Sequence, residues 1–429
     1  MMKAVIMAGG KGTRVKDISS SLPKCLIELN SKTVLEYQLK CLKREGVSDV
    51  VLCLGYGSDQ VVLYLKDNKN FGMNIDFFVE NEELGTSGSL KHLSNLGSDF
   101  ILIYGDIIFD IYIEKFLSFH LDNNSAVSLF VHPNDHPYDS DLVYHDRNNK
   151  IVKFLMKHET KNLIHNCVSS GIFILNSSVL KNIPDGKSDL VNDILPNLLQ
   201  SDYKLFAYNS CEYVKDMGTP ERIHEVEKSL KSGLVYNLNL RKKQKAIFLD
   251  RDGVINEEVD HLIDTDNFSF IPNSIEAIKM INKSDYLAIV VTNQPAVAKG
   301  FCKVSDIEKI HMHMETELAK EGAKLDSIFF CPCHPEKGFK GENPKYKRDC
   351  DCRKPKIGML EDAMKNYNLD FSSSFIIGDS TRDLMTGKNA GIESYLVDTG
   401  YAGRDNIFDI EPNHRSKDLY SAVKEIMLR

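Results

Sequence analysis

A chain of 429 residues with 42% hydrophobic and 27% charged content has the make-up of an ordinary globular protein, long enough for two domains and at most three. Its formal net charge of −8 excludes a broad basic surface for a nucleic-acid backbone. No run approaches the ~20 apolar residues of a membrane span, and the apolar start at Met1 is too short for a signal peptide, so a cytoplasmic protein is expected.

Lys3 to Met7 reads as a short strand running into Ala8-Gly-Gly-Lys-Gly-Thr-Arg14. Gly9, Gly10 and Gly12 let backbone N–H groups close on an anion, while Lys11 and Arg14 add positive charge. Leu22-Pro-Lys-Cys-Leu26 then places Lys24 a short loop away. Apolar spacing predicts a helix from Thr33 to Glu45, a strand from Asp49 to Leu54, a helix from Ser58 to Lys66 and a strand from Ile75 to Val79. Glu83-Leu-Gly-Thr-Ser-Gly-Ser-Leu90 is a second glycine-bearing loop, expected to lead into a helix. The apolar strand Phe100 to Tyr104 ends at Gly105-Asp106, a carboxylate placed where Mg²⁺ would be held beside two phosphate-binding loops. Asp216, in Tyr213-Val-Lys-Asp-Met-Gly-Thr-Pro-Glu221, precedes a turn and a helix expected to start near Pro220. Taken singly, Asp106 and Asp216 are ordinary turn or capping residues.

Taken together, the pieces A-G-G-K-G-T-R, P-K, L-G-T-S-G, G-D, K-H-E at Lys157, S-G at Gly171 and D-M-G-T-P cover nearly all of residues 2 to 230. In that order they resemble the nucleotidyltransferases that make nucleoside-diphospho-sugars from a sugar 1-phosphate and a nucleoside triphosphate. The resemblance implies that Asp106 and Asp216 bind Mg²⁺ and that Gly9, Gly10 and the loop Gly85-Thr86-Ser87-Gly88 frame the nucleotide. It implies too that Arg14 and Lys24 neutralise the triphosphate and that Lys157 grips the sugar phosphate. Such a reaction is in-line attack on the α-phosphorus, carried by positioning and charge neutralisation without a covalent intermediate. Two positions depart from the pattern: Met156 stands where the family usually has Glu, and Ser169-Ser170 precede Gly171 where Asn-Ala is usual. Both face the sugar in the family, so sugar identity stays open.

Residues 227 to 244 lose clear periodicity and gather Lys and Arg. The expected division is a transferase domain over 1–230, a solvated linker over 231–244 and a second domain over 245–429.

The second half opens on Lys245-Ala-Ile-Phe-Leu-Asp-Arg-Asp-Gly253, a short buried strand ending on Asp250. Paired carboxylates at a strand's carboxyl end sit where open α/β sheets place ligands. Asp250 would take up phosphate as an acyl phosphate, and Asp252 would protonate the leaving oxygen and later activate water. A helix from Ser274 to Lys283 and a strand from Tyr286 to Val291 lead to Thr292-Asn293-Gln294-Pro295, whose hydroxyl and amides suit a phosphoryl group. Lys354, within Arg353-Lys-Pro355, would neutralise phosphate and nucleophile together. Phe375-Ile-Ile-Gly-Asp379 is another strand ending in acid, and Asp379 would complete a Mg²⁺ site with Asp250 and Asp252. Asp383 follows one helical turn later. The series D-x-D, T, K, G-D-x-x-x-D resembles the haloacid dehalogenase superfamily of phosphatases.

Ten cysteines without an export signal point to metal rather than disulfides, and four cluster as Cys331-Pro-Cys333-His-Pro and Cys350-Asp-Cys352. These soft ligands on one apolar-poor loop suit a closed tetrahedral Zn²⁺ site that orders the loop. The string resembles the zinc-loop branch that holds heptose-bisphosphate and histidinol-phosphate phosphatases. That branch usually has His as second ligand. Four cysteines are expected here, with His334, beside Cys333, as the substitute.

The expected fold class is α/β: two Rossmann-like three-layer domains, a nucleotidyltransferase fold followed by a haloacid dehalogenase fold with a zinc loop. The fusion resembles two successive steps toward a nucleotide-activated heptose: loss of the 7-phosphate from D-glycero-D-manno-heptose 1,7-bisphosphate, then nucleotidyl transfer to the 1-phosphate with GTP as the expected donor. Two alternatives stand beside it, a transferase for another sugar 1-phosphate joined to a broader phosphatase, and one half serving as a non-catalytic regulatory domain. Base, anomer and oligomeric state are open at this point.

Overall fold

The computed structural model describes residues 2–10, 22–159 and 162–429. They divide into two compact units. The first is drawn from Met1–His132, Ser140–Glu159 and Cys167–Asn239, the second from Pro133–Asp139, Thr160–Asn166 and Leu240–Arg429.

In the first unit, β1 (Lys3–Ala8), β2 (Asp49–Leu54), β3 (Asn74–Val79) and β4 (Asp99–Tyr104) lie parallel in the order β4-β1-β2-β3. The antiparallel strand β5 (Val168–Asn176) extends the sheet beyond β4, and further strands bring it to nine. Along β1, Ala4 and Ile6 enter one apolar cluster while Val5 enters the other, so both faces of the sheet are covered. Helix α1 (Val34–Arg44) starts on Thr33, whose hydroxyl accepts from Glu36 N at 3.1 Å, and buries Leu35, Leu39 and Leu42. The expected helix after the Glu83–Leu90 loop is only a single 3-10 turn, Gly88–His92. The stretch read as a linker holds structure of its own. Gly233 ends the helix Pro220–Ser232 and a short helix Leu234–Asn237 follows, with Val235 buried.

The second unit has a six-stranded, wholly parallel sheet centred on β6 (Lys245–Leu249), flanked by β7 (Tyr286–Asn293) and β8 (Phe375–Gly378). Ala246, Ile247, Phe248 and Leu249 are all fully buried. Each is worth roughly 1.5–3 kcal/mol if large and apolar, which fixes the strand end that carries Asp250. Next to β7 lies β9 (Ser327–Cys331), with Cys331 opposite Asn293. This unit also takes in two pieces of the first half of the sequence: Tyr138 Oη donates to Thr316 O at 3.1 Å, and Ile164 N to Thr316 Oγ1 at 2.9 Å. Among the described residues no helix is long and apolar enough to cross a membrane.

Candidate active sites

In the first unit, the turn Gly105-Asp106 is bracketed by Gln38, whose buried amide donates to Tyr104 O and Ile107 O at 2.9 Å each. A two-stranded ribbon pairs Ile107 with Asp216, and Met217 N donates to Asp106 O at 3.0 Å. Two aspartates distant in sequence are thereby brought to one place. Lys24 Nζ lies 2.8 Å from Asp106 Oδ2. Arg222, on the first turn of the helix that follows Asp216, grips both oxygens of Asp216 at 2.8–2.9 Å, and Gly218 N donates to one of them. Sequence reading missed Arg222 and Gln38, which carry no motif.

The second loop is locked from behind. Gly85 has φ of +76°, and a Cβ there would lie 2.3 Å from Ser188 O, so no other residue fits. A Cβ on Gly88 would meet Gly186 O at 2.3 Å. The Thr86 hydroxyl donates to Asp189 Oδ2 at 2.9 Å and accepts from Leu190 N at 2.8 Å, bracing the loop. Gly171 packs on the Tyr104 ring, which a Cβ would approach to 2.8 Å. Gly9 lies against the Glu80 carboxylate, and among the described residues no atom lies within 4 Å of a Cβ placed on Gly10. Lys157 is exposed, its backbone N donating to Asp141. Gly12 and Arg14 lie outside the described residues.

In the second unit, Asp250, Asp252, Thr292, Arg353, Lys354 and Asp379 share a cavity of about 340 Å³. Lys354 is 2% exposed, and its ammonium sits 2.8 Å from Asp250 Oδ2 and 2.5 Å from Asp383 Oδ1. Burial works against this ammonium, but the two carboxylates hold it charged. Burial pushes Asp250 up to about 6 in spite of Lys354, and burial with Asp383 and Asp250 close by pushes Asp379 up to about 9. The Asp250, Asp379 and Asp383 carboxylate oxygens lie within 4.8 Å of one another. Such crowding of buried carboxylates is the arrangement a divalent cation relieves.

Asp252 was expected in that cation cluster; the structure puts Asp383 there instead. The Asp252 carboxylate is held by the Arg251 guanidinium at 2.9–3.1 Å, by Asn256 Nδ2 at 2.9 Å and by Gln294 Nε2 at 2.8 Å. Arg251 is fully buried, so this fork cannot swing into water. Gln294 also donates to Thr292 Oγ1 at 3.1 Å, while Asn293 and Lys354 exchange side-chain and backbone hydrogen bonds at 3.1 Å. Asp383 closes a capping box with Ser380, and the pattern Ser-x-x-Asp was the signal that could have placed it. Gly253 has φ of +78°, and a Cβ there would lie 2.2 Å from Asp379 Oδ2.

All ten cysteines are free thiols. Cys331, Cys333, Cys350 and Cys352 bring their sulfurs within 4.8 Å of one another, a set that could hold one metal ion. His334 is outside that group; its ring stands edge-on to Phe339 at 6.3 Å.

Comparison with known proteins follows the same division. Residues 3–233 match the nucleotidyl transferase family, and residues 351–422 match the HAD-hydrolase-like family. The second half is 44% identical over 158 residues to D-glycero-beta-D-manno-heptose-1,7-bisphosphate 7-phosphatase of Pasteurella multocida, covering 37% of this chain and 83% of that protein. It is 38% identical over 160 residues to the D-glycero-alpha-D-manno-heptose-1,7-bisphosphate 7-phosphatase of Photorhabdus laumondii, covering 37% and 85%. HddC from Yersinia pseudotuberculosis is similar in structure at 27% identity and a TM-score of 0.48, over 54% of this chain and all of that one. The chain is an enzyme with two activities in tandem: it belongs to the nucleotidyl transferase family through residues 3–233 and, through its second half, to the heptose-1,7-bisphosphate 7-phosphatases.

Proposed function

We propose that the chain carries out two successive steps in making GDP-heptose. Its second half removes the 7-phosphate from D-glycero-D-manno-heptose 1,7-bisphosphate, and its first half joins GMP from GTP to the heptose 1-phosphate that remains. The observation that carries the reading is the Asp250–Lys354–Asp383 series beside Thr292, on one chain with Lys24, Asp106 and Asp216. The first product is the second reaction's substrate, which gives the fusion its chemical sense. The matched relatives include enzymes for both anomers.

An Asp250 oxygen attacks the 7-phosphorus while Lys354 keeps that carboxylate charged. The sugar oxygen leaves with a proton from Asp252, whose carboxyl is aimed by Arg251, Asn256 and Gln294. Water then gives a proton to Asp252 and attacks the aspartyl phosphate, which releases inorganic phosphate and restores Asp250. Thr292 donates its hydroxyl to a phosphoryl oxygen. Asp250, Asp379 and Asp383 fit Mg²⁺, as do Asp106 and Asp216 in the first unit. Mg²⁺ when bound supplies charge neutralisation at the transferring phosphorus. In the transferase, Lys24 faces the leaving pyrophosphate and Gly9, Gly10, Gly85 and Gly88 let the backbone approach the nucleotide. Arg14, Gly12, Lys157 and Gly171 keep the roles their motif implies: triphosphate charge, loop closure and sugar phosphate. Cys331, Cys333, Cys350 and Cys352 fit structural Zn²⁺. Substrates this highly charged do not cross a bilayer, which supports a cytoplasmic enzyme.

The test is to incubate heptose and hexose bisphosphates with each of the four nucleoside triphosphates and identify products by mass. GDP-heptose with one phosphate and one pyrophosphate released is expected. Equal rates on hexose bisphosphates, or a preference for CTP, ATP or UTP, would overturn the corresponding half of the assignment.

A further inference from the structure

The phosphatase cavity holds two guanidiniums that the chemistry above does not use. Arg382, half-buried on the first turn of the helix Thr381–Ala390, lines the same cavity as Arg353. Among the described residues the Arg382 guanidinium makes no ion pair and no side-chain hydrogen bond. The pair Lys354–Asp383 explains how it meets Arg353: the contact at 2.5 Å ties two backbone segments together, and the arginines are the residues immediately before each partner. Arg353 spends one donor, Nη1, on Cys333 O at 3.1 Å and likewise has no carboxylate partner. The carboxylates nearby are engaged elsewhere: Asp383 by Lys354 and Ser380, Asp405 by the N–H and hydroxyl of Thr381. Two guanidiniums left to face one cavity repel each other until an anion lies between them. A phosphate dianion matches two such forks through charge-assisted, bidentate hydrogen bonds.

We propose that Arg382, acting with Arg353, holds the phosphate that is not hydrolysed and so selects sugar bisphosphates over monophosphates. The inference rests on the reading of this cavity as a bisphosphate phosphatase and adds the residue that enforces the choice. Glu258 and Asp260 line the same cavity and offer oxygens to sugar hydroxyls.

The experiment measures kcat and KM of the full-length protein on heptose 1,7-bisphosphate and on heptose 7-phosphate for wild type, Arg382→Gln and Arg382→Lys. Bound zinc and the unfolding temperature are recorded for each. For Arg382→Gln the ratio of kcat/KM between the two substrates should fall by about tenfold or more, equal to about 1.4 kcal/mol, chiefly through KM for the bisphosphate. Arg382→Lys should recover part of it. An equal loss on both substrates, or no change in the ratio, would overturn the clamp. The underlying reading fails differently: wild type would then show no preference for any sugar bisphosphate over its monophosphate, and both proposals would fall together. A wild type that prefers hexose bisphosphates, with the ratio still collapsing in Arg382→Gln, would overturn the heptose assignment and bear out the clamp.

Discussion

The two sites solve phosphoryl transfer in opposite ways. The phosphatase is built of side chains tied to side chains: Lys354 is sealed between Asp250 and Asp383, and Asp252 is held by Arg251, Asn256 and Gln294. The transferase is built of backbone, with glycines pressed on carbonyls and a more open ion pair, Lys24 and Asp106, whose side chains are 14% and 33% exposed. The difference follows from the chemistry. A covalent route needs one carboxylate of fixed charge and aim. A direct displacement needs a cradle for a polyanion. Single charge edits should therefore cut deeper in the second unit than in the first.

The sharpest way to break this contrast is to disable each site alone. Asp250→Asn removes the nucleophile and should slow the phosphatase at least about a thousandfold, ~4 kcal/mol in the barrier, with nucleotidyl transfer retained. Asp106→Asn should slow transfer, by a smaller factor, and spare phosphate release. Loss of both activities from either change in a folded protein would end the two-site reading. Next in size is the metal loop. Purified protein should carry about one Zn²⁺, and Cys350→Ser should lose it and lower the unfolding temperature of the second unit, read by metal analysis and calorimetry. A native protein with no zinc and four freely reactive thiols would contradict this. A smaller effect is expected at the backbone-built site. Gln38→Leu leaves two buried carbonyls unpaired and should cost about 1–3 kcal/mol of stability in the first unit, with a raised KM for nucleotide. An unchanged denaturation midpoint would show that the Asp106 turn stands without it. Smallest is Arg353→Lys, which keeps the charge, loses the fork and should narrow the preference for bisphosphate by a few-fold. An unchanged ratio of kcat/KM would remove Arg353 from the clamp.

How much of this was readable without coordinates depended on whether a residue acts through spacing or through packing. The strands leading to Asp106, Asp250 and Asp379, and the one that carries Thr292 near its end, were legible because short apolar runs stop at polar residues. The four-cysteine loop was legible from its spacing. What packing alone decides was not: Arg251 had to be seen fully buried before its hold on Asp252 made sense, and Thr86 sits in a motif that hides its grip on Asp189. The assignment of Pro133–Asp139 to the second unit has no trace in local sequence, since it is a tertiary preference of an otherwise ordinary loop. Periodicity failed over 234–237 because a one-turn helix is too short to show any.

The cysteine loop has a reach beyond holding itself together. Cys331 stands opposite Asn293 in the sheet, Gln294 N donates to Cys331 O at 2.8 Å, and Arg353 follows Cys352 directly while binding Cys333 O. Thiol chemistry thus bears on Asn293, Gln294, Arg353 and Lys354, whereas Asp250 follows a different, buried strand. Oxidation of these sulfurs should therefore weaken cleavage and substrate choice together, because Gln294 aims Asp252 and Lys354 follows Arg353 directly.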